Sequence, residues 1–128
     1  MKSILFVCIE NSNRSQMAEA FAKIHGKGRA VGMSAGSKPS GKINEKAIAS
    51  MKELGYDLSQ HASKSVEDFR GAAFDYVVTM GCGDACPFIP AEHREDWALP
   101  DPKNLEKDEF RKVRDEIEKR VKELLVRV

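Results

Sequence analysis

The sequence lacks the features that mark secreted, membrane-spanning and nucleic-acid-binding proteins. Its 128 residues include only three cysteines, an odd number that does not suit a disulfide framework. No apolar run approaches the roughly 18 residues that cross a bilayer, and no signal-type cleavage site follows MKSILFV. The 21 basic and 20 acidic residues nearly cancel, so the net charge of +1 gives no electrostatic reason to bind nucleic acid or a membrane. We therefore expect a cytoplasmic protein, monomeric by default, that binds neither.

The chain does contain a regular alternation of strand-like and helix-like apolar patterns. Residues 4–7, 30–35 and 74–80 are short apolar runs typical of buried strands, whereas 15–25 and 43–54 repeat apolar residues every three or four positions. We also predict a short helix over 65–69, mostly irregular chain over 90–102, and a long amphipathic helix at the C-terminus. Strands alternating with helices favour one α/β domain over residues 1–128, with helices on both faces of a parallel sheet.

The segment CIENSNRS joins the first predicted strand to the first predicted helix. Such a loop points backbone N–H groups inward above a helix N-terminus, which suits a tetrahedral oxyanion. Arg14 can hold two oxygens of the anion, and its charge favours a thiolate at Cys8. The predicted oxyanion-binding residues are Cys8, Ile9, Glu10, Asn11, Ser12, Asn13, Arg14 and Ser15. The alternative is a buried strand-end cysteine and a surface arginine.

Three further residues belong to the same hypothesis. A displacement at a tetrahedral centre needs a proton donor for the leaving oxygen, and Asp101 is fixed between two prolines in LPDPKN. The alternative reading is an ordinary Asp-Pro turn. Cys82 and Cys86 follow the strand predicted over 74–80. Because parallel strands carry chemistry beyond their carboxyl ends, we expect these thiols near Cys8.

Several motifs in sequence order resemble the thioredoxin-coupled arsenate reductases, which share the fold of the low-molecular-weight tyrosine phosphatases. The similarity runs over nearly the whole chain, including RKVRDEIEKRV near its end. It implies an α/β three-layer sandwich around a central, mostly parallel four-stranded sheet. The motifs that carry it are VCIENSNRSQMAEAF, SAG at 34–36, VVTMGCGDACP and EDWALPDP.

The resemblance implies a reduction of arsenate without a cofactor. Cys8 matches the cysteine that attacks arsenate, Cys82 the one that attacks the resulting adduct, and Cys86 the one that passes the disulfide to thioredoxin. Phosphate and sulfate should compete for the anion site. The matches to the oxyanion-binding arginine, the serine beside the thiolate and the general acid are Arg14, Ser15 and Asp101.

The sequence departs from the family pattern at three places. Asn13 stands where many members carry another cysteine, and the gap between Cys82 and Cys86 is short, which makes glutaredoxin or a small thiol an alternative reductant. Some members bind potassium behind the anion loop; Asn11, Glu19 and Ser34 match three of its ligands, but the aspartate position holds Lys64. We predict that the Lys64 ammonium replaces the ion, reaching Glu19 and the loop carbonyls, and that no metal is bound.

Other functions stay open as alternatives. A low-molecular-weight tyrosine phosphatase would use Cys8 as nucleophile and Asp101 as general acid, but Lys103 and Asn104 follow Asp101-Pro102 where such enzymes place aromatic residues. A non-catalytic oxyanion binder would need no resolving thiols. A metal-binding module would use Cys82, Cys86 and His93. Zinc usually takes four ligands, however, and only one short cysteine pair is present.

Four remaining side chains have modest expectations. Trp97 is predicted to anchor the Asp101 segment by packing. His25 and His61 are expected to be isolated residues at the surface or at helix ends. Glu10 lies inside the anion loop, where a carboxylate does not help an arriving oxyanion, and we expect it to point outward.

Overall fold

The computed structural model describes residues 1–81 and 89–128 of the chain. They form β1 (Lys2–Cys8), α1 (Arg14–His25), β2 (Ala30–Gly36), α2 (Glu45–Lys52), 3₁₀ turns at Leu58–Gln60 and Val66–Phe69, β3 (Phe74–Thr79), β4 (Ala91–Asp96) and α3 (Lys107–Arg127). All strand pairs are parallel, and the spatial order is β2-β1-β3-β4. The predicted α/β fold with a four-stranded parallel sheet is therefore confirmed.

β1 is an inner strand, with β2 on one side and β3 on the other. Its residues alternate between two apolar clusters, as the two-residue period of a strand requires. Ile4, Phe6 and Cys8 join the larger cluster, which α1, α2 and α3 cover. Leu5 and Val7 join a smaller cluster on the opposite face, which the turn at Val66–Phe69 covers. The sheet is thus the middle of three layers.

β4 corrects the prediction of irregular chain over 90–102. Its sequence, AEHRED, has no apolar alternation, and most of its residues are exposed. The strand exists because its backbone pairs with β3, from Phe74 opposite Ala91 to Thr79 opposite Asp96. Charged side chains on an outer strand discourage pairing with other molecules. Tertiary hydrogen bonding, which no local pattern reports, made this prediction wrong.

The helices follow the predicted patterns closely. α2 is shorter than the predicted span because the Asn44 side chain accepts a hydrogen bond from the Lys46 N–H and sets its start. Ser65 caps the turn at Val66–Phe69, as predicted. α3 buries one stripe, which includes Phe110, Ile117 and Leu124. Among the described residues, no helix combines the length and apolar character needed to cross a bilayer.

Candidate active site

The anion loop, residues 8–15, leaves the carboxyl end of β1 and enters α1. Cys8 is its first residue and is 3% exposed. Its sulfur lies 2.8 Å from the Ser15 hydroxyl oxygen. The structure therefore brings together the predicted nucleophile and the predicted serine at the start of a helix, where the helix dipole favours negative charge.

The Asn11 side chain holds the Ser15 hydroxyl in place next to Cys8. Its side-chain Oδ1 accepts from the Lys64 backbone N–H at 2.7 Å and from Gln16 Nε2 at 2.8 Å. A backbone N–H can only donate, so the Asn11 amide is oriented with Nδ2 toward Ser15 Oγ, 2.8 Å away. Ser15 Oγ accepts that bond and also lies in hydrogen-bond contact with Cys8 Sγ, to which its hydroxyl can donate when the sulfur is a thiolate. Asn11 also takes the left-handed backbone conformation, with φ of 51°, that the loop needs.

Gln16 and His61 extend this hydrogen-bond chain behind the loop, and sequence reasoning missed both connections. Gln16 Nε2 donates to Ala62 O at 2.8 Å, so its Oε1 accepts from His61 Nδ1 at 2.9 Å. Tyr56 then donates its hydroxyl proton to His61 Nε2, 2.6 Å away. The His61 side chain is 1% exposed, and burial lowers its pKa below the ordinary 6.5, which keeps the ring neutral. His61 lies at the end of the 3₁₀ turn at Leu58–Gln60, one of the two predicted places, but its side chain is neither isolated nor at the surface.

Arg14 and Asp101 lie on the same side of Cys8. Arg14 Nη1 donates to Leu99 O at 3.0 Å, and Nη2 lies 3.9 Å from Asp101 Oδ2. Asp101 is half-exposed, and its Oδ1 accepts from the Lys103 backbone N–H at 3.0 Å. Arg14, the predicted oxyanion ligand, and Asp101, the predicted proton donor, thus line the same cavity as the Cys8 thiol.

These side chains line a small cavity of about 10 Å³, which is roughly the space that one water molecule needs. The Oδ1 atom of Asn13 is buried and accepts no hydrogen bond from the described residues. Asn13 begins α1, yet its side chain does not cap the helix. Its oxygen remains available to a ligand. The cavity is lined by Cys8, Glu10, Ser12, Asn13, Arg14 and Asp101.

A second, larger cavity of 360 Å³ lies between α2 and the start of α3. Lys46, Glu53 and Phe110 are among its lining residues, and none of the predicted site residues lines it. The smaller cavity is the better candidate because, of the two, it is the one that brings together the predicted nucleophile, the predicted anion ligand and the predicted proton donor.

Two glycines give the anion loop and Arg14 the space that they occupy. A Cβ atom at Gly36 would lie 2.6 Å from Ile9 O and 2.9 Å from Asn11 N. At Gly81 it would lie 2.6 Å from Arg14 Nη1, and Gly81 also has a φ of +85°. Gly36 belongs to the SAG motif, but sequence reasoning missed Gly81, whose signal was its place directly after the third strand.

Behind the loop, Glu19 collects the residues predicted to support it. Ser34 donates to its Oε1 at 2.6 Å, and Lys23 contacts its Oε2 at 2.9 Å. Burial works to raise the pKa of Glu19, but these bonds and the Lys64 charge outweigh burial and lower it. Lys64 Nζ lies 3.5 Å from Glu19 and donates to Ala62 O at 3.0 Å, a carbonyl outside the anion loop.

The remaining sequence expectations have mixed outcomes. Trp97 is 5% exposed, and its ring centroid lies 5.9 Å from that of Phe6, so it packs in the core; its role as an anchor of the Asp101 segment stays a prediction. His25 is half-buried and pairs with Glu118 instead of standing alone. Glu10 points outward to Lys103.

The residues of the alternative metal site are not gathered by the part of the chain that the structure describes. Within residues 1–81 and 89–128, no group of three histidine, cysteine or acidic side chains is placed to hold a metal ion. The exposed His93 bonds through Nε2 to Glu95. Cys82 and Cys86 lie outside the described residues.

Known proteins resemble this chain over nearly its whole length. The family model described as low molecular weight phosphotyrosine protein phosphatase matches residues 3–128. The glutaredoxin arsenate reductase of Synechocystis sp. is 40% identical over 131 aligned positions, which cover 100% of this chain and 99% of that protein. A solved structure of an arsenate reductase in the phosphate binding state is 39% identical, with a TM-score of 0.90 and coverage of 100% and 99%.

A thioredoxin-dependent arsenate reductase of Corynebacterium glutamicum is also similar in structure, with a TM-score of 0.80 and 34% identity. The match covers 97% of this chain and 60% of that one. These relatives confirm the resemblance that the motifs predicted. The chain belongs to the low molecular weight phosphotyrosine protein phosphatase family.

Proposed function

We propose that this protein reduces arsenate to arsenite, with Cys8 as the nucleophile. The observation that carries the proposal is that Cys8 Sγ lies 2.8 Å from the Ser15 hydroxyl, which Asn11 holds, and shares one cavity with Arg14 and Asp101. A thiol, a guanidinium and a carboxyl group on one cavity are the groups that nucleophilic attack on an oxyanion requires. Two full-length relatives that carry the name arsenate reductase favour arsenate as the oxyanion.

Arsenate binds in the proposed complex as a tetrahedral anion over Cys8. Arg14 holds two of its oxygens, and the loop N–H groups hold the others. At neutral pH arsenate keeps at least one hydroxyl, and Asn13 Oδ1 is a buried acceptor on the same cavity. Phosphate and sulfate have the same shape and therefore compete.

In the first chemical step the Cys8 thiolate attacks arsenic and an S–As bond forms. One oxygen of arsenate leaves as water after it takes a proton from Asp101. Cys82 then attacks Cys8 Sγ, and the electron pair of the S–As bond passes to arsenic. Arsenic is thereby reduced from the +5 to the +3 state, arsenite leaves, and a Cys8–Cys82 disulfide forms.

In the remaining steps Cys86 attacks Cys82, which releases the Cys8 thiolate and leaves a Cys82–Cys86 disulfide. An external dithiol reduces that bond and returns the enzyme to its starting state. Gly81 lies beside Arg14 and immediately precedes Cys82 in the sequence. This position supports the proposal that the Cys82 thiol can reach Cys8.

Thioredoxin is the proposed reductant, and glutaredoxin is the second candidate. The resemblance favours thioredoxin, as does the name of the Corynebacterium glutamicum relative. The Synechocystis relative is named for glutaredoxin. Both reductants carry out the same thiol–disulfide exchange, so the choice lies in docking and not in the chemistry at Cys8.

The test is NADPH consumption by the purified protein with arsenate, in two parallel mixtures. One contains thioredoxin and its reductase; the other contains glutaredoxin, glutathione and glutathione reductase. We expect sustained turnover in the thioredoxin mixture and none with Cys8→Ser. Turnover only with glutaredoxin replaces the reductant and keeps the chemistry. No turnover in either mixture, with hydrolysis of p-nitrophenyl phosphate, would establish the phosphatase, which the same cavity also favours.

A further inference from the structure

Glu10 places a carboxylate at the entrance of a site built for anions. Its backbone is firmly held, because its carbonyl accepts from the Ser40 N–H at 3.0 Å and from the Ser63 hydroxyl at 3.1 Å. Glu10 lines the same small cavity as Cys8. The chain therefore holds a negative charge close to the place where a dianion would bind. This charge weakens anion binding unless a nearby cation offsets it.

Lys103 is the cation that meets this carboxylate. Its Nζ lies 3.0 Å from one Glu10 oxygen and 3.3 Å from the other. Its backbone N–H donates to Asp101 Oδ1, and its carbonyl lies 3.5 Å from Lys46 Nζ. Lys103 is therefore tied through its backbone to the proton donor and through its side chain to the anion loop.

The Glu10–Lys103 ion pair is too exposed to matter much for stability. The side chains are 33% and 51% exposed, and pairs of this kind contribute little to folding. The two charges can nevertheless change the affinity for a charged ligand. A unit charge within several ångströms of a dianion changes the binding constant by a few-fold or more, even in a high effective dielectric.

We propose that Lys103 is a positioning residue for oxyanion binding, which cancels the Glu10 charge and holds that carboxylate toward the Asp101 segment. Lys103 acts through Glu10 and does not touch the oxyanion. The inference rests on the proposed function only in that the cavity over Cys8 binds an oxyanion.

The test measures oxyanion binding without any turnover. Alkylation of Cys8 by iodoacetamide, followed by mass spectrometry of the Cys8 peptide, is recorded against rising inorganic phosphate at low salt. The variants are Glu10→Gln, Lys103→Met and the double variant. Lys122→Met is the matched control, because Lys122 pairs with Glu118, beside His25 at the far end of α1.

Lys103→Met exposes the Glu10 charge, so the half-protecting phosphate concentration should rise about three- to tenfold. Glu10→Gln should lower it, and the double variant should return within about twofold of the wild-type protein. Lys122→Met should change nothing. High salt should shrink the Lys103→Met effect, because ions screen charges at the surface.

Three results would overturn the proposal. If Lys103→Met and the double variant are equally weak, Lys103 contacts the anion itself. If all variants match the wild type, the pair has no role in binding. If Lys122→Met weakens protection as much, only net charge matters.

Steady-state kinetics with arsenate give a second readout. Lys103→Met should raise KM by the same factor and leave kcat within about twofold, because the backbone N–H of residue 103 still donates to Asp101. A fall in kcat with constant KM would contradict the proposal. Wild-type protection by phosphate without arsenate turnover would reject the proposed function alone; no wild-type protection would reject both.

Discussion

Two polar clusters of this protein have opposite designs. The loop network, formed by Asn11, Ser15, Gln16 and His61, consists of neutral groups joined by hydrogen bonds. The helix network, formed by Glu53, Arg111 and Arg114, consists of charges between α2 and α3, where one carboxylate meets two guanidinium groups. The loop network holds a hydroxyl against the Cys8 sulfur, and the helix network joins two helices through several ion pairs.

This difference predicts which cluster tolerates change. A buried amide or hydroxyl that loses its partner has no water to replace it. In the helix network, Glu53 keeps a second guanidinium partner when one is lost, although Arg114 itself is buried. Because the loop network contacts Cys8 and the helix network does not, substitutions in the loop network should act on activity, and those in the helix network on stability alone.

The largest effect is expected at Cys8, which the loop network contacts, and at the proposed second thiol, Cys82. Cys8→Ser should abolish both arsenate turnover and any hydrolysis of p-nitrophenyl phosphate, because both need the thiolate. Cys82→Ser should abolish only arsenate turnover, since no second thiol can then release arsenite. The two assays on both variants check this. Arsenate turnover by Cys82→Ser with thioredoxin would contradict the proposed relay.

The next largest effect is expected from Asn11→Ala. The Ser15 hydroxyl then loses the amide donor that holds it against Cys8 Sγ, and kcat/KM should fall about 100-fold. Stability should also fall, by about 1–3 kcal/mol, because the Lys64 backbone N–H loses its acceptor and Ser15 Oγ loses its donor. Asn11→Gly is the control, since glycine accepts the positive φ. It should recover part of the stability but not the rate; recovery of the rate would mean that Asn11 acts only through its backbone.

In the helix network, Arg114→Met should change stability and not activity. The Arg114 side chain is 8% exposed and donates to Ser50 O at 2.9 Å and to Glu53 at 2.7 Å. Its loss leaves the buried Ser50 carbonyl unpaired, so the free energy of unfolding should fall by about 1–3 kcal/mol. Urea unfolding measures this, while kcat should stay within about twofold. A tenfold loss of kcat would erase the distinction between the clusters.

A smaller effect concerns acid. Hydrogen bonds from Arg111, then from Arg114, lower the pKa of Glu53 from 4.5 to about 2. A carboxyl whose folded pKa is depressed contributes stability above its unfolded pKa and loses it as pH falls through the folded pKa. The wild-type stability advantage over Glu53→Gln should therefore be constant above pH 4.5 and vanish toward pH 2. Urea unfolding at each pH checks this, and a constant advantage down to pH 2 would contradict it.

The sequence predicted the residues at the cavity better than the residues and strand that hold them in place. Cys8, Arg14, Ser15 and Asp101 could be found because their residue types and spacing state their roles. His61 could not, because its partners Gln16 and Tyr56 are brought to it only by tertiary packing. β4 was missed for the same reason, since AEHRED becomes a strand only beside β3. Lys103 was noted only for not being aromatic, and its contact with Glu10 depends on two loops meeting.

The last prediction is that replacing potassium by sodium has no effect on arsenate binding. Lys64 Nζ lies 3.5 Å from Glu19 Oε1 and donates to Ala62 O, so a cation is already fixed behind the loop. The KM for arsenate should therefore be the same within about twofold in potassium and in sodium at equal ionic strength. Lys64→Asp removes the ammonium and supplies a carboxylate, so this variant should acquire a potassium-dependent KM. Lys23→Met is the control, because Lys23 also contacts Glu19 but is half-exposed, and its loss should create no such dependence. A potassium response in the wild-type protein would mean that the Lys64 ammonium does not replace the ion.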